Sequence, residues 1–323
     1  MHPAFSVIFL TTLIGVGQGL FLALFSSQTY SIVNVLPAQP GGYYALGGLI
    51  ALGFLAAGLV ASFFHLGHPE RAWRSASQWR TSWLSREVIA LPLVMGLLFL
   101  YAVVNWLELD ADLFGWRLHG QVPLIVGALG AAATLGLFLC TGMIYGAVKF
   151  LQTWATPLTV LNYFLLGSAS GFVFAAAYAA FKAPNVVEFY AAWAMVLIVA
   201  AFAGRAAALL RNARIKQVAN LQTAIGIRHS KVQQRAMGFM GGSYNTREYR
   251  HGKGLAFLKS VKWIFLALVF PIPFLLLWLG LALGSSTAYV AAFAVQYVGL
   301  LFERWFFFAQ ADHPQNLYYQ VVG

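Results

Sequence analysis

The chain has 323 residues, of which 60% are hydrophobic and 9% charged, with a mean hydropathy of +0.74 and a formal net charge of +11. A soluble globular domain carries roughly 25% charged residues, so composition excludes a water-soluble fold and points to an integral membrane protein. The apolar runs are continuous rather than alternating, which excludes a β-barrel, and the single cysteine, Cys140, excludes internal disulfides and a protein-borne iron–sulfur cluster.

Apolar stretches near 4–25, 43–64, 87–107, 121–147, 157–181, 187–204, 260–283 and 287–308 each approach the ~20 residues a spanning helix needs. They predict an all-α bundle of eight transmembrane helices, a single integral membrane domain over residues 1–323. The first residues, MHPAF, lack the basic region of a signal peptide, so the first helix is expected to begin at once and to stay. With eight spans the two termini share a face with residues 65–86, 148–156, 205–262 and 309–323. Of the 20 lysines and arginines, all but Arg117 and Lys182 fall on that side, which leaves 18 against 2. The positive-inside rule then puts both termini in the cytoplasm.

Glycines recur at small-xxx-small spacing, as Gly15/Gly19, Gly142/Gly146, Gly167/Gly171 and Gly280/Gly284, and read as close helix packing. Pro271 and Pro273 fall inside the seventh span and should kink it, with room for a ligand cavity at the bend. Gln18 and Gln296 lie within spans and can hydrogen-bond across helices, while Glu303-Arg304 reads as a local ion pair or helix lock. Residues 205–262 form a long basic segment with twelve lysines and arginines against a lone Glu248. Two readings of it stand level: a loop lying on anionic lipid headgroups, or a docking surface for a soluble acidic partner. No nucleic-acid-binding fold accompanies the charge, so no nucleic-acid partner is expected.

Chemistry-bearing residues concentrate between spans two and three, in HLGHPERAWR at 65–74 and TSWLSRE at 81–87; no formally charged side chain precedes Glu70. Ionisable residues at a bilayer edge are costly and tend to face an interior or a cavity. A plain reading exists for each. With Ser85 as N-cap, Glu87 falls at the second helical position, where the helix dipole favours a carboxylate and Arg86 could pair with it; His65 could simply end span two. The alternative is convergence of His65, Arg71 and Glu87 on one pocket mouth, walled by Trp73, Trp79 and Trp83. A histidine and a carboxylate there suit a quinone head group, one hydrogen-bonding a carbonyl and the other exchanging protons with water.

Other cofactors are not expected. The seven histidines sit at span ends, in loops or in termini, with no pair at matching depth to hold a heme. At His65-x-x-His68-x-Glu70, Gly67 and Pro69 interrupt the helix that would align metal ligands, and no second cluster completes a set. Hydrolase and phosphate-loop motifs are absent.

The run HLGHPERAWRSASQWRTSWLSRE, with the eight-span pattern, resembles the DMSO reductase anchor-subunit family, the membrane subunits of complex iron–sulfur molybdoenzymes. The resemblance implies a molybdopterin catalytic subunit and a four-cluster ferredoxin-like iron–sulfur subunit as partners, with molybdopterin and clusters held by them alone. It implies a heme-free anchor in the bacterial inner membrane that exchanges electrons with a quinone, ubiquinone or menaquinone. His65 and Glu87 fall on the family's quinone-site histidine and carboxylate; Arg71 lies in the motif with weaker support. The tail DHPQNLYYQ at 312–320 and AIGIRHSK at 224–231 look like the sulfite dehydrogenase branch, which implies electrons passing from cytoplasmic sulfite oxidation to the quinone pool. The shorter DMSO reductase anchors lack the long basic segment; a complex of their type would instead oxidise menaquinol. Two other classes stand beside these. A transporter would show broken helices and mid-membrane polar groups, and a passive tether would need no site at all.

Overall fold

A computed structural model describes residues 5–109, 111–113, 116–118, 121–216, 222–223, 226–229 and 254–311. The helices are α1 (Phe5–Ile32), α2 (Gly41–Phe63), α3 (Trp83–Trp106), α4 (Val122–Gly146), α5 (Pro157–Lys182), α6 (Val187–Ala213), α7 (Leu255–Val269), α8 (Pro271–Leu283) and α9 (Ser286–Ala309). Counting α7 and α8 as one bent span, the described residues hold eight stretches long and apolar enough to cross a membrane. The all-α bundle expected from hydropathy is what forms. One short antiparallel pair, Ala111–Leu113 with Trp116–Leu118, joins α3 to α4.

Two helices make the centre. In α1 and α5, 67% and 72% of the apolar window is buried, against 28% to 44% in the other spans. α1 packs on α2, α4, α5 and α9, and α5 on α4, α6 and α9, with α3 closing against α2 and α4. Glycine permits the α1–α5 contact: a Cβ on Gly19 would strike the backbone of Gly167 and Ser168, and one on Gly171 the backbone of Gly19 and Leu20. Such backbone approach substitutes for a hydrophobic driving force that lipid cannot supply.

The predicted kink lies between Val269 and Pro271, where Phe270 adopts φ −113°, ψ −77°. Pro273 has no N–H to give the carbonyl of Val269 four residues back. Gln296 of α9 takes over, donating from Nε2 to that oxygen at 3.2 Å. Gln18 likewise crosses from α1 to the Thr134 carbonyl of α4 at 3.3 Å. The bend borders an apolar groove of about 750 Å³, walled by Phe202, Leu210, Trp263, Phe270 and Phe274 among others, with Lys262 as its one charged lining residue.

Four helix limits differ from expectation: the ends of α1 and α6, the start of α7, and the start of α3 described below. α1 continues to Ile32 because its polar last turns are buried and bonded: Gln28 donates to Asn105 Oδ1 at 2.8 Å and accepts from the Tyr101 hydroxyl at 2.6 Å, and Ser27 meets the Tyr190 hydroxyl at 2.5 Å. α6 runs to Ala213 and α7 starts at Leu255, so the connection is shorter than 205–262 and Arg205 belongs to a helix interior. Most of the basic segment, and the 312–320 tail, lie outside the described residues.

Candidate functional site

At the end of the bundle that carries both chain termini, α2 stops at Phe63, and the Phe64 and His65 N–H groups cap it by donating to the Ala61 and Ser62 carbonyls. His65 follows, exposed, its imidazole without a hydrogen bond or ion pair among the described residues. Partial desolvation holds its pKa below the ordinary value, so the ring is neutral at pH 7 and keeps both a donor and an acceptor nitrogen. A 3-10 segment, Pro69–Gln78, then crosses the surface. There Glu70 gathers His68 at 3.1 Å and Arg71 at 3.6 Å. Arg71 is thus placed with Glu70 on the exposed rim, with no ion pair to Glu87. Trp73 and Trp79 are exposed, each with an arginine, Arg74 or Arg80, over its ring.

The N-cap of α3 is Ser82, which accepts from the Ser85 N–H at 3.4 Å, and not Ser85 as expected from the sequence. The helix starts earlier because Arg86 staples the approach: it lies 4.2 Å from the Trp83 ring centroid and donates to the Trp79 and Arg80 carbonyls at 2.9 and 2.8 Å. Two consequences follow. Arg86 is occupied and does not pair with Glu87. Glu87 falls at the fifth helical position, past the first turn where the dipole acts, so the plain account of this carboxylate loses its support.

Glu87 instead points into the bundle, 9% exposed. Its Oε1 accepts from the Thr141 hydroxyl of α4 at 2.5 Å, and Oε2 has no partner among the described residues. A buried carboxylate is retained only where something holds or uses it. The residue types suit a quinone: an exposed imidazole with unspent nitrogens just past α2 and, on α3, a buried carboxylate with one oxygen bonded and one open. No hydrogen bond joins His65 to Glu87, so each is available to a ligand.

Behind Thr141 lies a layer of polar side chains that sequence reasoning saw only in part. Glu303 of α9 meets Arg205 of α6 at 2.8 Å and its neighbour Arg304 at 3.4 Å. All three are at most 4% exposed. The Arg304 guanidinium also lies 3.8 Å from the Tyr163 ring centroid. The expected Glu303–Arg304 pair is therefore one side of a buried triad. The signal for its third member was in the sequence, where Arg205 interrupts an apolar run on both sides. Its position near the run's end made it read as loop.

Residues 1–308 match the family described as DMSO reductase anchor subunit (DmsC). The whole chain aligns with a sulfite dehydrogenase subunit of Allochromatium vinosum, 56% identical over 325 residues and covering 100% of both proteins. The chain belongs to the DMSO reductase anchor-subunit family. Membership at this coverage makes it a multi-pass membrane anchor subunit, in agreement with the eight spans.

Proposed function

We propose that this anchor is the quinone-reactive membrane subunit of a molybdopterin and iron–sulfur oxidoreductase, delivering electrons from sulfite oxidation to the quinone pool. The identity to a sulfite dehydrogenase subunit favours sulfite over the DMSO-reductase direction, in which menaquinol would be oxidised. Sulfite and water would yield sulfate, two protons and two electrons on the molybdopterin subunit, and a four-cluster iron–sulfur subunit would carry the electrons to the membrane. Bound at the rim, a quinone supplies a two-electron, two-proton acceptor.

The observation that carries the reading is Glu87, buried past the reach of the helix dipole and held by Thr141 with one oxygen open among the described residues. Neutral His65 donates a hydrogen bond to a ring carbonyl and orients it. Glu87 gives up a proton inward of the headgroups and is reprotonated from water. Arg71 tethers Glu70 in the rim and places positive charge beside the mouth. Of the 18 basic residues assigned to the terminus-bearing face, Arg205 and Arg304 are buried, which leaves 16 against 2 and keeps the cytoplasmic assignment and the inner membrane as the proposed location.

The test uses the whole complex. Glu87→Gln keeps size and polarity while removing the exchangeable carboxyl proton. It should preserve assembly and turnover with an artificial acceptor while lowering quinone-linked turnover by about 10²-fold or more. His65→Ala should weaken quinone-site inhibitor binding. Normal quinone turnover and inhibitor binding in both variants would leave a passive tether as the reading. Solute flux in vesicles holding the anchor alone would favour a transporter.

A further inference from the structure

The polar layer behind Glu87 contains two small chambers. The inner one is lined by Thr11, Thr12 and Gln18 of α1, Thr141 of α4, Tyr163 of α5 and Arg304 of α9, among others. The outer one is lined by Thr153, Asn162, Asn212, Gln310 and the Arg205–Glu303 pair, among others, and lies at the terminus-bearing ends of α6 and α9. Each has about 10 Å³ of room, close to what one water needs. Tyr163 and Arg304 line both, so they form the partition.

The walls are short of partners. Among the described residues the Tyr163 hydroxyl, on a side chain 5% exposed, finds no well-formed hydrogen bond, although Tyr145 and Arg304 lie within reach of it; nor do Asn162 Oδ1, Thr153 Oγ1, Gln310 Nε2 and Arg205 Nη2 find one. An orphaned buried polar atom costs about 1–3 kcal/mol, and polar chambers of this size take up water that cancels the cost. Tyr163 lies within electrostatic reach of Glu87, Glu303 and Arg304 alike.

We propose that the two chambers hold water and that the Tyr163 hydroxyl joins them into a proton path from the terminus-bearing face to Glu87. The guanidiniums of Arg205 and Arg304 do not release protons. Their part is to fix Glu303 and, through the stacking of Arg304 on the ring, to hold Tyr163 in the partition. A proton arriving from the outer water is taken by the Tyr163 oxygen as that hydroxyl's own proton leaves to the inner water. The same exchange at Thr141 returns a proton to Glu87 along the existing 2.5 Å hydrogen bond. No covalent bond other than O–H changes, and no charge is left behind. The path rests on Glu87 being the proton-exchanging group of the quinone site.

Tyr163→Phe keeps the ring that stacks with Tyr145 and Arg304 and deletes only the hydroxyl. In the assembled complex it should lower quinone-linked turnover by about tenfold or more, with a smaller loss at lower pH and a larger solvent isotope effect. Artificial-acceptor turnover and quinone-site inhibitor binding should be unchanged. Thr141→Val, which also releases Glu87 Oε1, should lower quinone-linked turnover likewise. An infrared measurement supplies a readout free of turnover: the Glu87 carboxyl band, assigned by its disappearance in Glu87→Gln, should exchange with deuterium more slowly in Tyr163→Phe. Unchanged exchange and an unchanged pH profile in both variants overturn the path, and Glu87 then draws protons directly from the rim. Should Glu87→Gln itself keep full quinone turnover, the quinone reading fails instead, an outcome that the deuterium exchange rate separates from failure of the path.

Discussion

Replacing Glu303 by glutamine should destabilise the bundle far more than replacing Arg205 by methionine, although both break the same 2.8 Å ion pair. The reason is the charge count of the triad, two guanidiniums about one carboxylate, all three at most 4% exposed. Arg205→Met removes a buried cation with an orphaned Nη2 and leaves a balanced Glu303–Arg304 pair at 3.4 Å. Glu303→Gln leaves two buried cations with no anion. Stranding a buried charge costs about 3–5 kcal/mol, or two to three and a half powers of ten in the folded-to-unfolded ratio at about 1.4 kcal/mol per decade. Arg205→Met should fall well below that range, and the double variant should recover part of the Glu303→Gln loss because one cation is gone. Denaturant midpoints of the detergent-solubilised protein, followed by tryptophan fluorescence, give the order. Equal losses in the two single variants, or a greater loss in Arg205→Met, would refute the charge-count argument.

Gly171→Ala should weaken the α1–α5 crossing by at least about 1–3 kcal/mol, since the new Cβ meets the Gly19 and Leu20 backbone; Gly96→Ala, with open space at its Cβ, serves as the control in the same melt. Gln28→Leu should cost more than Gln296→Leu. The first strands Tyr101 Oη and Asn105 Oδ1 at about 1–3 kcal/mol each, whereas the second strands Val269 O but also deletes the orphaned Oε1 of Gln296. His65 should titrate below about 6.5 in the folded protein. The unfolded chain then takes up the proton first, so its contribution makes stability rise with pH through that window and level off above it; a His65→Gln difference in denaturation against pH checks the sign. Reporter fusions at Gly323 and near Asp110 should report opposite sides of the membrane, with Gly323 cytoplasmic.

The fold was legible because hydropathy alone sets the spans: each of the eight apolar stretches became a membrane-length helix or bent helix pair. The limits that moved were those where side chains from distant helices decide. Ser27 and Gln28 look like loop until Tyr190, Asn105 and Tyr101 are placed beside them. Ser82 outcompetes Ser85 as N-cap only because Arg86 ties the preceding turn to Trp79 and Arg80. His65, Arg71 and Glu87 could be singled out in the sequence because they fall in one motif. Thr141, Tyr163 and Arg205 were not, because each is one polar residue in its own helix and acquires meaning only from the others.

The bundle is polar at both ends, and the two ends differ in how their polar atoms are spent. At the end opposite the termini, Tyr43 donates to Tyr190, Tyr190 meets Ser27, Tyr178 donates to the Tyr43 carbonyl, and Gln28 is shared by Tyr101 and Asn105. Apart from the Tyr44 hydroxyl, which finds no well-formed hydrogen bond among the described residues, that cluster is closed on itself, as a lock between helices should be. At the terminus-bearing end the triad and its chambers leave hydroxyl, amide and guanidinium atoms unspent around room for water. Between them most inward side chains of the core are apolar, with Leu20, Phe21, Leu24, Leu55 and Leu98 fully buried, and Gln18 and Gln296 bond across helices. An unspent polar layer is costly unless water or a ligand occupies it, so chemistry belongs at the terminus-bearing end and packing at the other. On the proposed function, protons and electrons then reach the quinone from one and the same side, and the apolar middle of the bundle serves to keep it so.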